Sequence, residues 1–383
     1  MMKEKIKWIK IAEKKISIIT IGIVLLIGSY LLVLSDGAFA KKGTIVNPED
    51  RIEIQSVVQE VLQGEVQKKI KTKEESVKEA KELLKRYPNL DSMIKGILEK
   101  GIETGNIPVI VSCDSNLTFG EIEILQKNKA KIEVTESRVC KYETGPSEEG
   151  IYTHLFTLIK KGKEWEAEKF EDGTEVKGEL LTKDVKKLLP VLSPEEAVKN
   201  QKIEEQRIKK ESISTMSSSY TYNRNNAAWY GSYYAINPNS SFRYWPDADC
   251  TNFISQAVWY GNWPMVGWWP DKYSTAVWWY AFGWPNTQSY TWTSAHYWWW
   301  FTYNRPRGYL TSDGCSLQNG DIVQRDREPN GYIDHSTIVT YKNGCDIRIS
   351  YHTPNTRNRS LWDFMSQYPS ANFYGWRLYD SGN

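Results

Sequence analysis

The stretch Asp247-Ala-Asp-Cys-Thr-Asn-Phe-Ile-Ser-Gln-Ala-Val-Trp-Tyr-Gly261 decides how the second half of this 383-residue chain folds. Its apolar residues recur with helical spacing and predict a short helix with one buried stripe, Phe253, Ile254, Ala257 and Val258. Asp247 or Asp249 can cap the start of this helix, and Gly261 can end it. Cys250 then falls in the first turn, where the helix dipole favours a thiolate. The stretch alone is equally compatible with a nucleophile and with a small buried residue.

A second stretch, from Asp334 to His352, carries two of the four histidines of the chain. Asn343-Gly344 stands between two β-rich runs, which predicts a two-residue hairpin turn. With that turn His335 faces His352 across the strand pair, on the side opposite the apolar residues. The pattern therefore indicates a histidine pair whose Cβ atoms are roughly 5 Å apart.

A cysteine on a helix, a histidine on a later strand and a polar residue beyond it suit acyl transfer through a covalent intermediate. These residues resemble the amidase domain of bacterial envelope proteins, a relative of the NlpC/P60 cysteine peptidases within the papain-like fold. The resemblance covers about residues 220–380. It rests on four motifs in order: Asp249-Cys250-Thr251-Asn252-Phe253, Gly320-Asp321-Ile322-Val323, Asp334-His335-Ser336 and Tyr351-His352-Thr353-Pro354.

The resemblance implies a helix packed on a small antiparallel sheet, with Cys250 as nucleophile, His335 as base and His352 as the residue that orients the base. Asp334 or Asn355 could orient the base instead. In NlpC/P60 enzymes a tyrosine near the cysteine helps to hold the oxyanion, which makes Tyr222 a candidate beside the backbone N–H of Cys250.

We therefore expect an exported thiol hydrolase that cleaves amide bonds in peptidoglycan or other cell-envelope peptides and uses no cofactor or metal. A zinc site formed by Cys250, His335 and His352 is an alternative, because these ligand types suit zinc, but the usual short ligand spacings do not support it.

Tryptophan is concentrated in the second half, where 15 of the 17 tryptophans follow residue 220. Aliphatic residues are scarce between residues 259 and 301, so tryptophans must supply much of the core there. Some could instead line a cleft that also includes His296 and hold a sugar ring or an extended peptide. A non-catalytic, tryptophan-rich module that binds glycan or peptide is therefore the rival to the enzyme.

Residues 1–40 indicate an export segment. Six lysines precede Ser17, an apolar run extends from Ile16 to Leu34, and Ala38-Phe39-Ala40 has the form of a cleavage site. The run approaches the length that spans a bilayer, so an uncleaved N-terminal anchor is the alternative and would be the only membrane contact. Either way we expect a secreted or cell-surface protein. The net charge of +2 argues against a nucleic-acid partner.

Five cysteines in an exported chain allow two disulfides and one thiol. The simplest pairing joins Cys113 to Cys140 and Cys315 to Cys345, which leaves Cys250 as the thiol. The sequence alone does not establish this connectivity, and a disulfide at Cys250 would exclude its role as a nucleophile.

The first half, residues 41–190, predicts an α+β domain of unknown role. Its charged, helical pattern from Pro48 to about Lys100 precedes strand-like runs at Lys131–Glu143, Ile151–Lys160 and Glu164–Phe170. This order is weakly similar to the NTF2-like cone fold. We expect His154, the histidine of this half, to be structural.

Residues 191–219 predict a linker between this domain and the amidase-like domain at 220–383. Ser193-Pro-Glu-Glu196 is a capping-box pattern that begins a charged helix. We expect a solvated spacer that ends in a flexible joint at Ser214–Ser219, although it could instead be the last helix of the first domain. We therefore expect the whole chain to be an α+β protein of two domains.

Overall fold

An antiparallel sheet that joins strands from both halves of the chain is the centre of the fold. The predicted export segment 1–40 and the predicted joint at Ser214–Ser219 lie outside the residues described. The computed structural model describes residues 46–174, 188, 190–211, 220–282, 287–305 and 307–382. Within these ranges, the side chains of residues 203–211 and 382 are not described. Among the helices of these segments, none has both the length and the apolar character needed to cross a bilayer.

The helical pattern of the first half is confirmed. Thr72 and Glu75 form a capping box at the start of α2, and the side chain of Asn47 caps α1. The described helices are α1 (Pro48–Lys69), α2 (Lys73–Arg86), α3 (Ser92–Thr104), α4 (Pro194–Glu211), α5 (Arg224–Tyr233), α6 (Cys250–Tyr260), α7 (Tyr290–Thr293), α8 (Ala295–Asn304) and α9 (Leu361–Ser366).

The strands of the main sheet follow the order β1-β2-β3-β10-β9-β8-β7-β11-β6, and β4 pairs with β3. A separate small pair joins β5 to β12. The strand bounds are β1 (Ile110–Gln126), β2 (Lys129–Tyr142), β3 (Glu148–Lys161), β4 (Glu164–Glu171), β5 (Tyr220–Thr221), β6 (Gly308–Thr311), β7 (Ile322–Asp326), β8 (His335–Asn343), β9 (Asp346–Tyr351), β10 (Thr356–Ser360), β11 (Asn372–Leu378) and β12 (Ser381–Gly382). The α+β class is confirmed, as is the predicted meander β7-β8-β9 against the Cys250 helix.

The long strand β1 was missed by the sequence pattern, whereas β2, β3 and β4 were predicted. It lies at the edge of the sheet, and most of its side chains are exposed or half-buried. An edge strand of this kind buries no regular apolar face, so the alternation that reveals a strand in sequence is weak.

Helices cover both faces of the part of the sheet formed by β7, β8 and β9. Alternate residues of a strand point to opposite faces. Ile338 packs in one core with α5, α6 and α8, whereas Val339 packs in a second core with α3 and α9. The first half has a further core of its own between α1 and strands β2–β4.

The helix α3 belongs to the first half of the chain, yet it completes the core of the second. Val46–Asn383 pack as one unit. The division into separate domains on either side of residues 191–219 is therefore not confirmed and stays a prediction.

The linker region begins with the predicted capping box, since Ser193 and Glu196 bond to each other through side chain and backbone. Ala197 and Val198, in the first turn of α4, are buried in the core shared with α6. The prediction of a solvated spacer is therefore wrong for the start of this helix. The apolar pair was too short a signal to reveal a buried turn within a highly charged sequence.

The hairpin between β8 and β9 differs from the predicted one. Asn343 pairs with Asp346, so Gly344 and Cys345 form the loop, and Gly344 takes a positive φ of 60°. A register shift between Val339 and Tyr341 follows. The net result is a displacement of one residue from the predicted pairing, and such a displacement turns a side chain to the other face of the sheet.

Both predicted disulfides are confirmed. Cys113 and Cys140 are directly opposed residues of β1 and β2. Cys315 bonds to Cys345 and ties the short helical turn Gly314–Ser316 to the β8–β9 loop. Cys250 takes part in neither disulfide.

Candidate active site

Cys250 is the first residue of α6, where the helical spacing placed it. Its side chain is 1% exposed, and its Sγ lies 3.7 Å from Oγ1 of Thr251. The positive end of the helix dipole lies at this sulfur and favours a thiolate. Because the side chain is covered, a molecule that reacts with Sγ must first displace the covering residues.

Asp249 holds the N-cap position of α6, but its carboxylate makes no cap hydrogen bond to the helix backbone. Its Oδ2 lies 2.6 Å from Nδ1 of His352. Its Oδ1 accepts hydrogen bonds from the Trp245 N–H at 3.0 Å and from the Asn252 side-chain amide at 2.9 Å. Sequence reasoning expected Asp249 only as a cap, and thus missed the carboxylate that orients a histidine.

His352 is buried and bound at both ring nitrogens. Besides Asp249 at Nδ1, the backbone oxygen of Tyr234 lies 2.9 Å from Nε2. The ring stacks on Phe253 with 4.1 Å between centroids, and Tyr244 meets it edge-on at 5.6 Å. The Asp249 carboxylate and the Tyr234 carbonyl both accept hydrogen bonds, so each ring nitrogen of His352 faces an acceptor. The Asp249–His352 pair therefore stands beside the start of α6.

A chain of buried polar side chains ties α6 to the sheet. Oγ1 of Thr251 lies 3.1 Å from Oγ of Ser336, which also accepts a hydrogen bond from the Gln324 amide at 3.0 Å. The Trp376 indole donates to Oε1 of Gln324 at 3.0 Å. These bonds fix the residue after Cys250 against β7 and β8. These bonds were not predicted from the sequence. The available signal was the polar Gln324, which directly follows the apolar pair Ile322-Val323.

His335 lies on the opposite face of the sheet from Cys250. Its neighbour Ser336 points to α6, whereas the His335 ring packs against Tyr351 and Phe364, with 5.2 and 6.0 Å between centroids. The predicted pairing of His335 with His352 is therefore wrong, and its cause is the shifted register of the hairpin. Of the three predicted site residues, the structure brings Cys250 and His352 to one end of α6 and leaves His335 behind the sheet.

His335 is 1% exposed, and neither of its ring nitrogens has a hydrogen-bond partner among the described residues. Burial, together with the nearby guanidinium groups of Arg325 and Arg359, holds the pKa of His335 well below that of a free imidazole. The ring is therefore neutral in the folded protein at pH 7.

We expect this histidine to make the fold sensitive to acid. Below about pH 6.5 the unfolded chain protonates His335 while the folded chain does not, so stability falls by up to about 1.4 kcal/mol per pH unit until the folded pKa is reached. Denaturant unfolding at pH 7 and pH 5 should show a smaller loss for His335→Leu than for the unmodified protein, by about 2 kcal/mol. Equal losses would show that His335 titrates normally in the fold.

The alternative orienting residues have other partners. Asp334 forms an ion pair with Arg325 at 2.8 Å. Asn355 accepts a hydrogen bond from the Tyr244 hydroxyl at 3.2 Å and donates to the backbone oxygen of Ile236. Neither therefore bonds to a ring nitrogen of His335.

Tyr222 lies near the other end of α6 from Cys250. Its hydroxyl donates to the Gly320 carbonyl at 2.7 Å, and the next residue, Asn223, donates its N–H to Gly261 at the helix end. The 11 residues of α6 span about 16 Å, so Tyr222 cannot hold an oxyanion at Cys250. The expectation for Tyr222 is wrong because the shared motif carries no information about its distance from the cysteine.

A zinc site of Cys250, His335 and His352 is also contradicted, since the sheet separates the two histidines. Within the segments the structure covers, no group of three or more histidine, cysteine or acidic residues is arranged to hold a metal ion.

Most tryptophans of the second half serve as core, as the scarcity of aliphatic residues predicted. The most deeply buried are Trp263, Trp278, Trp292, Trp298, Trp299 and Trp376. His296, at the start of α8, is also buried, and its Nδ1 accepts the Ile333 N–H at 3.3 Å. Among the described tryptophans, the well-exposed ones are Trp229, Trp268 and Trp269, with 49%, 73% and 51% of their surface exposed.

A groove of about 730 Å³ adjoins the Asp249–His352 pair. Thr353 and Tyr244 line it, and both contact the pair, Thr353 through a hydrogen bond from the Asp249 N–H at 3.0 Å. Its other wall comes from β2, β3 and β4 of the first half. Within the described segments, the charged side chains that line it are all acidic: Glu133, Glu171, Asp172 and Asp247.

His154 lies in a buried network of the first half, with Nε2 2.9 Å from Glu136 and Nδ1 accepting the Gly173 N–H at 3.0 Å. Burial opposes ionisation of Glu136, but hydrogen bonds from His154 and Arg138 lower its pKa to about 2. These bonds fasten β2 to β3 and to the end of β4, in agreement with the predicted structural role.

The comparisons with known proteins each cover less than half of the chain. Residues 221–376 match the family described as "Putative amidase domain". The uncharacterized protein YjcM of Bacillus subtilis is 26% identical over 147 residues, which are 34% of this chain and 30% of that protein. The uncharacterized protein YhbB of the same organism is 29% identical over 167 residues, which are 42% of this chain and 51% of that protein.

The chain thus spans about half or less of the length of these curated relatives. No solved structure matches it. The relation to the NlpC/P60 peptidases stays a prediction from the motifs. The matched range includes Asp249, Cys250 and His352, so this part of the chain is similar to an amidase-domain family, which supports a hydrolase.

Proposed function

We propose that this protein is a cysteine-dependent amide hydrolase in which Cys250 is the nucleophile, His352 transfers the proton and Asp249 orients His352. The observation that carries the proposal is the 2.6 Å contact between Asp249 and His352 beside the first turn of α6. A nucleophile, a histidine and an orienting carboxylate are the three groups that acyl transfer uses. This assignment replaces the base expected from sequence, His335, because that ring faces the other core.

In the proposed reaction the Cys250 thiolate attacks the carbonyl carbon of an amide, and the tetrahedral oxyanion forms near the start of α6. The backbone N–H of Cys250 is our candidate donor to this oxyanion. The imidazolium of His352 gives up its hydrogen bond to Tyr234 and protonates the leaving amine. His352, now neutral, takes a proton from water as the water attacks the thioester. The second tetrahedral intermediate then collapses, the carbon–sulfur bond breaks, and the acid leaves while the Cys250 thiolate and the His352 imidazolium are restored.

The acidic groove indicates the class of substrate that we propose. Its four carboxylates line a space that adjoins the Asp249–His352 pair, and no lysine or arginine of the described segments lines it. A peptide with a free amino group, such as an envelope peptide that carries a diamino acid, would have its positive charge stabilised there.

We expect the enzyme to cleave peptides that carry a free side-chain amine faster than the same peptides after acetylation. Asp247→Asn and Glu133→Gln should each lower kcat/KM for the amine substrate by about three- to tenfold and leave the acetylated one unchanged. Glu166→Gln is the matched control, because this exposed carboxylate pairs with Lys161 outside the groove. Equal effects on both substrates would contradict a role for the groove charges.

Export to the cell envelope is part of the proposal. Two disulfides are expected in an oxidising compartment, and they support the signal segment predicted at residues 1–40. Fractionation of cells that produce the full chain tests this, with the protein expected in the medium or at the surface. Recovery in the cytoplasm would contradict it.

A non-catalytic binding module is the second candidate, and the exposed aromatic loop favours it. Trp268 and Trp269 are well exposed, and the Lys272 ammonium lies 5.0 Å from the Trp269 ring. Such rings can stack on sugars. A protein that binds envelope glycan equally well with Cys250→Ala and cleaves no peptide amide would favour this candidate over the hydrolase.

A further inference from the structure

A polar cavity of about 420 Å³ lies where the two halves of the chain meet, and no residue of α6 lines it. The ends and sides of α1 and α2 form one wall, and β10 and α9 of the second half form the other. It is therefore distinct from the proposed catalytic end of α6, and the mechanism above makes no use of it. Its volume is in the range of small-molecule sites.

Two lysines at the cavity already have counter-ions. Lys68 pairs with Glu65 at 2.5 Å, and Lys71 pairs with Glu79 at 2.6 Å. Both pairs are partly exposed at the rim, and within each pair the two charges offset each other. Glu65 and Glu79 are therefore already paired with lysines other than Lys69.

Three further cations line the cavity, namely Lys69, Arg138 and Arg359. Arg138 pairs with Glu136, but Lys69 and Arg359 form no ion pair within the described segments. Burial lowers the pKa of Lys69, and the positive charges of Arg359 and Arg138 lower it further, whereas the Glu148 carboxylate raises it. Lys69 and Arg359 therefore bring positive charge to the cavity that no carboxylate of the described segments pairs directly.

Donor atoms without partners mark the same residues. Arg138 and Arg359 are 2% and 5% exposed, and among the described residues Nη1 of the first and Nε of the second have no hydrogen-bond partner. The hydroxyl of Ser366, which also lines the cavity, has none within the same described segments. A buried donor left unpaired costs about 1–3 kcal/mol, so three around one cavity indicate a partner that supplies acceptors.

Besides Glu65 and Glu79, two further carboxylates line the cavity, and both accept hydrogen bonds from other side chains. Asp363 accepts a hydrogen bond from the Tyr142 hydroxyl at 3.2 Å. Asp172 accepts from the Thr174 hydroxyl at 2.7 Å and lies 3.4 Å from Nδ1 of His154.

We propose that this cavity binds a small anion with several phosphate or carboxylate oxygens, which accept from Arg138, Arg359 and Ser366 while Lys69 supplies further positive charge. Charge-assisted bonds of this kind are about twice as strong as neutral ones, and a guanidinium can present two parallel donors to an oxyanion. The ligand would contact both halves of the chain and hold them together.

The test is a calorimetric titration of the purified chain with inorganic phosphate and with citrate, at an ionic strength held constant with sodium chloride. We expect saturable binding of at least one anion, weakened about tenfold or more by Lys69→Gln and by Arg359→Gln. Lys95→Gln is the matched control, because this exposed lysine of α3 lies outside the cavity, and it should bind as the unmodified protein does.

Absence of saturable binding by both anions, or binding that none of these cavity variants changes, would overturn the proposal. Lys69 is half-buried, so Lys69→Gln is the variant least expected to disturb folding. If Arg359→Gln does not fold, the anion affinity of Lys69→Gln alone tests the proposal. The titration needs no turnover, and its outcome is therefore independent of whether Cys250 is a nucleophile.

Discussion

Replacement of Cys250 by alanine is expected to reduce amide hydrolysis by at least about a thousandfold while the fold is retained. Removal of a covalent nucleophile leaves only the binding and electrostatic parts of catalysis. Cys250 is buried without a disulfide, so the loss of one sulfur leaves a small cavity and does not break a cross-link. The measurement is the rate of hydrolysis of amine-bearing peptide amides, compared at equal concentrations of folded protein.

The matched control is Ser255→Ala, a change of similar size on the same helix. Ser255 is buried and accepts a hydrogen bond from the Trp278 indole at 3.1 Å, on the α8 side of the helix. We expect it to lower stability and to leave kcat near its original value. If Cys250→Ala retained full activity, the thiol would have no part in the reaction.

The second expectation separates the two histidines. His352→Gln should lower kcat by about 10²- to 10⁴-fold, the usual contribution of a proton-transfer group. His335→Leu should keep kcat within about threefold, because the ring lies behind the sheet among Tyr351 and Phe364. Activities of both variants are measured at pH 7 and divided by the folded fraction from circular dichroism.

Leucine is chosen at position 335 because it leaves no polar group unpaired in an apolar pocket. Glutamine is chosen at position 352 because it can keep one bond to Asp249 but cannot exchange a proton. A large loss of kcat in His335→Leu together with an active His352→Gln would restore the base predicted from sequence and reject the assignment made from the geometry.

The sequence was sufficient for the elements that carry the site. The apolar stripe after Cys250 predicted α6, the Asn-Gly signal predicted a β8–β9 hairpin, and the count of cysteines predicted both disulfides. These features depend on local pattern or on simple pairing, which one sequence contains.

The register of that hairpin could not be predicted. Cys345 lies within the loop and bonds to Cys315, so the turn occupies Gly344 and Cys345, one position beyond the Asn-Gly signal. One register shift along β8 then sets which histidine faces α6. Because strand periodicity is two, a single-residue error reverses the assignment of a catalytic base.

Contacts between distant segments were also outside the reach of the sequence. Nothing in the pattern of α3 indicates that Met93 and Ile97 pack under β7 and β8 of the second half. Likewise, the link from Asp249 to His352 joins residues more than 100 positions apart. Such contacts follow from the packing of the whole chain and not from local periodicity.

The measurement that tests the central claim most directly is the thiolate absorbance at 240 nm, followed against pH and corrected with Cys250→Ser. With both disulfides intact, Cys250 is the only thiol among the five cysteines, so the difference spectrum reports it alone. We expect the thiol to titrate well below the ~8.5 of a free cysteine, and His352→Gln, but not His335→Leu, to raise that value. An ordinary thiol titration that neither variant moves, or one that only His335→Leu moves, would contradict the account.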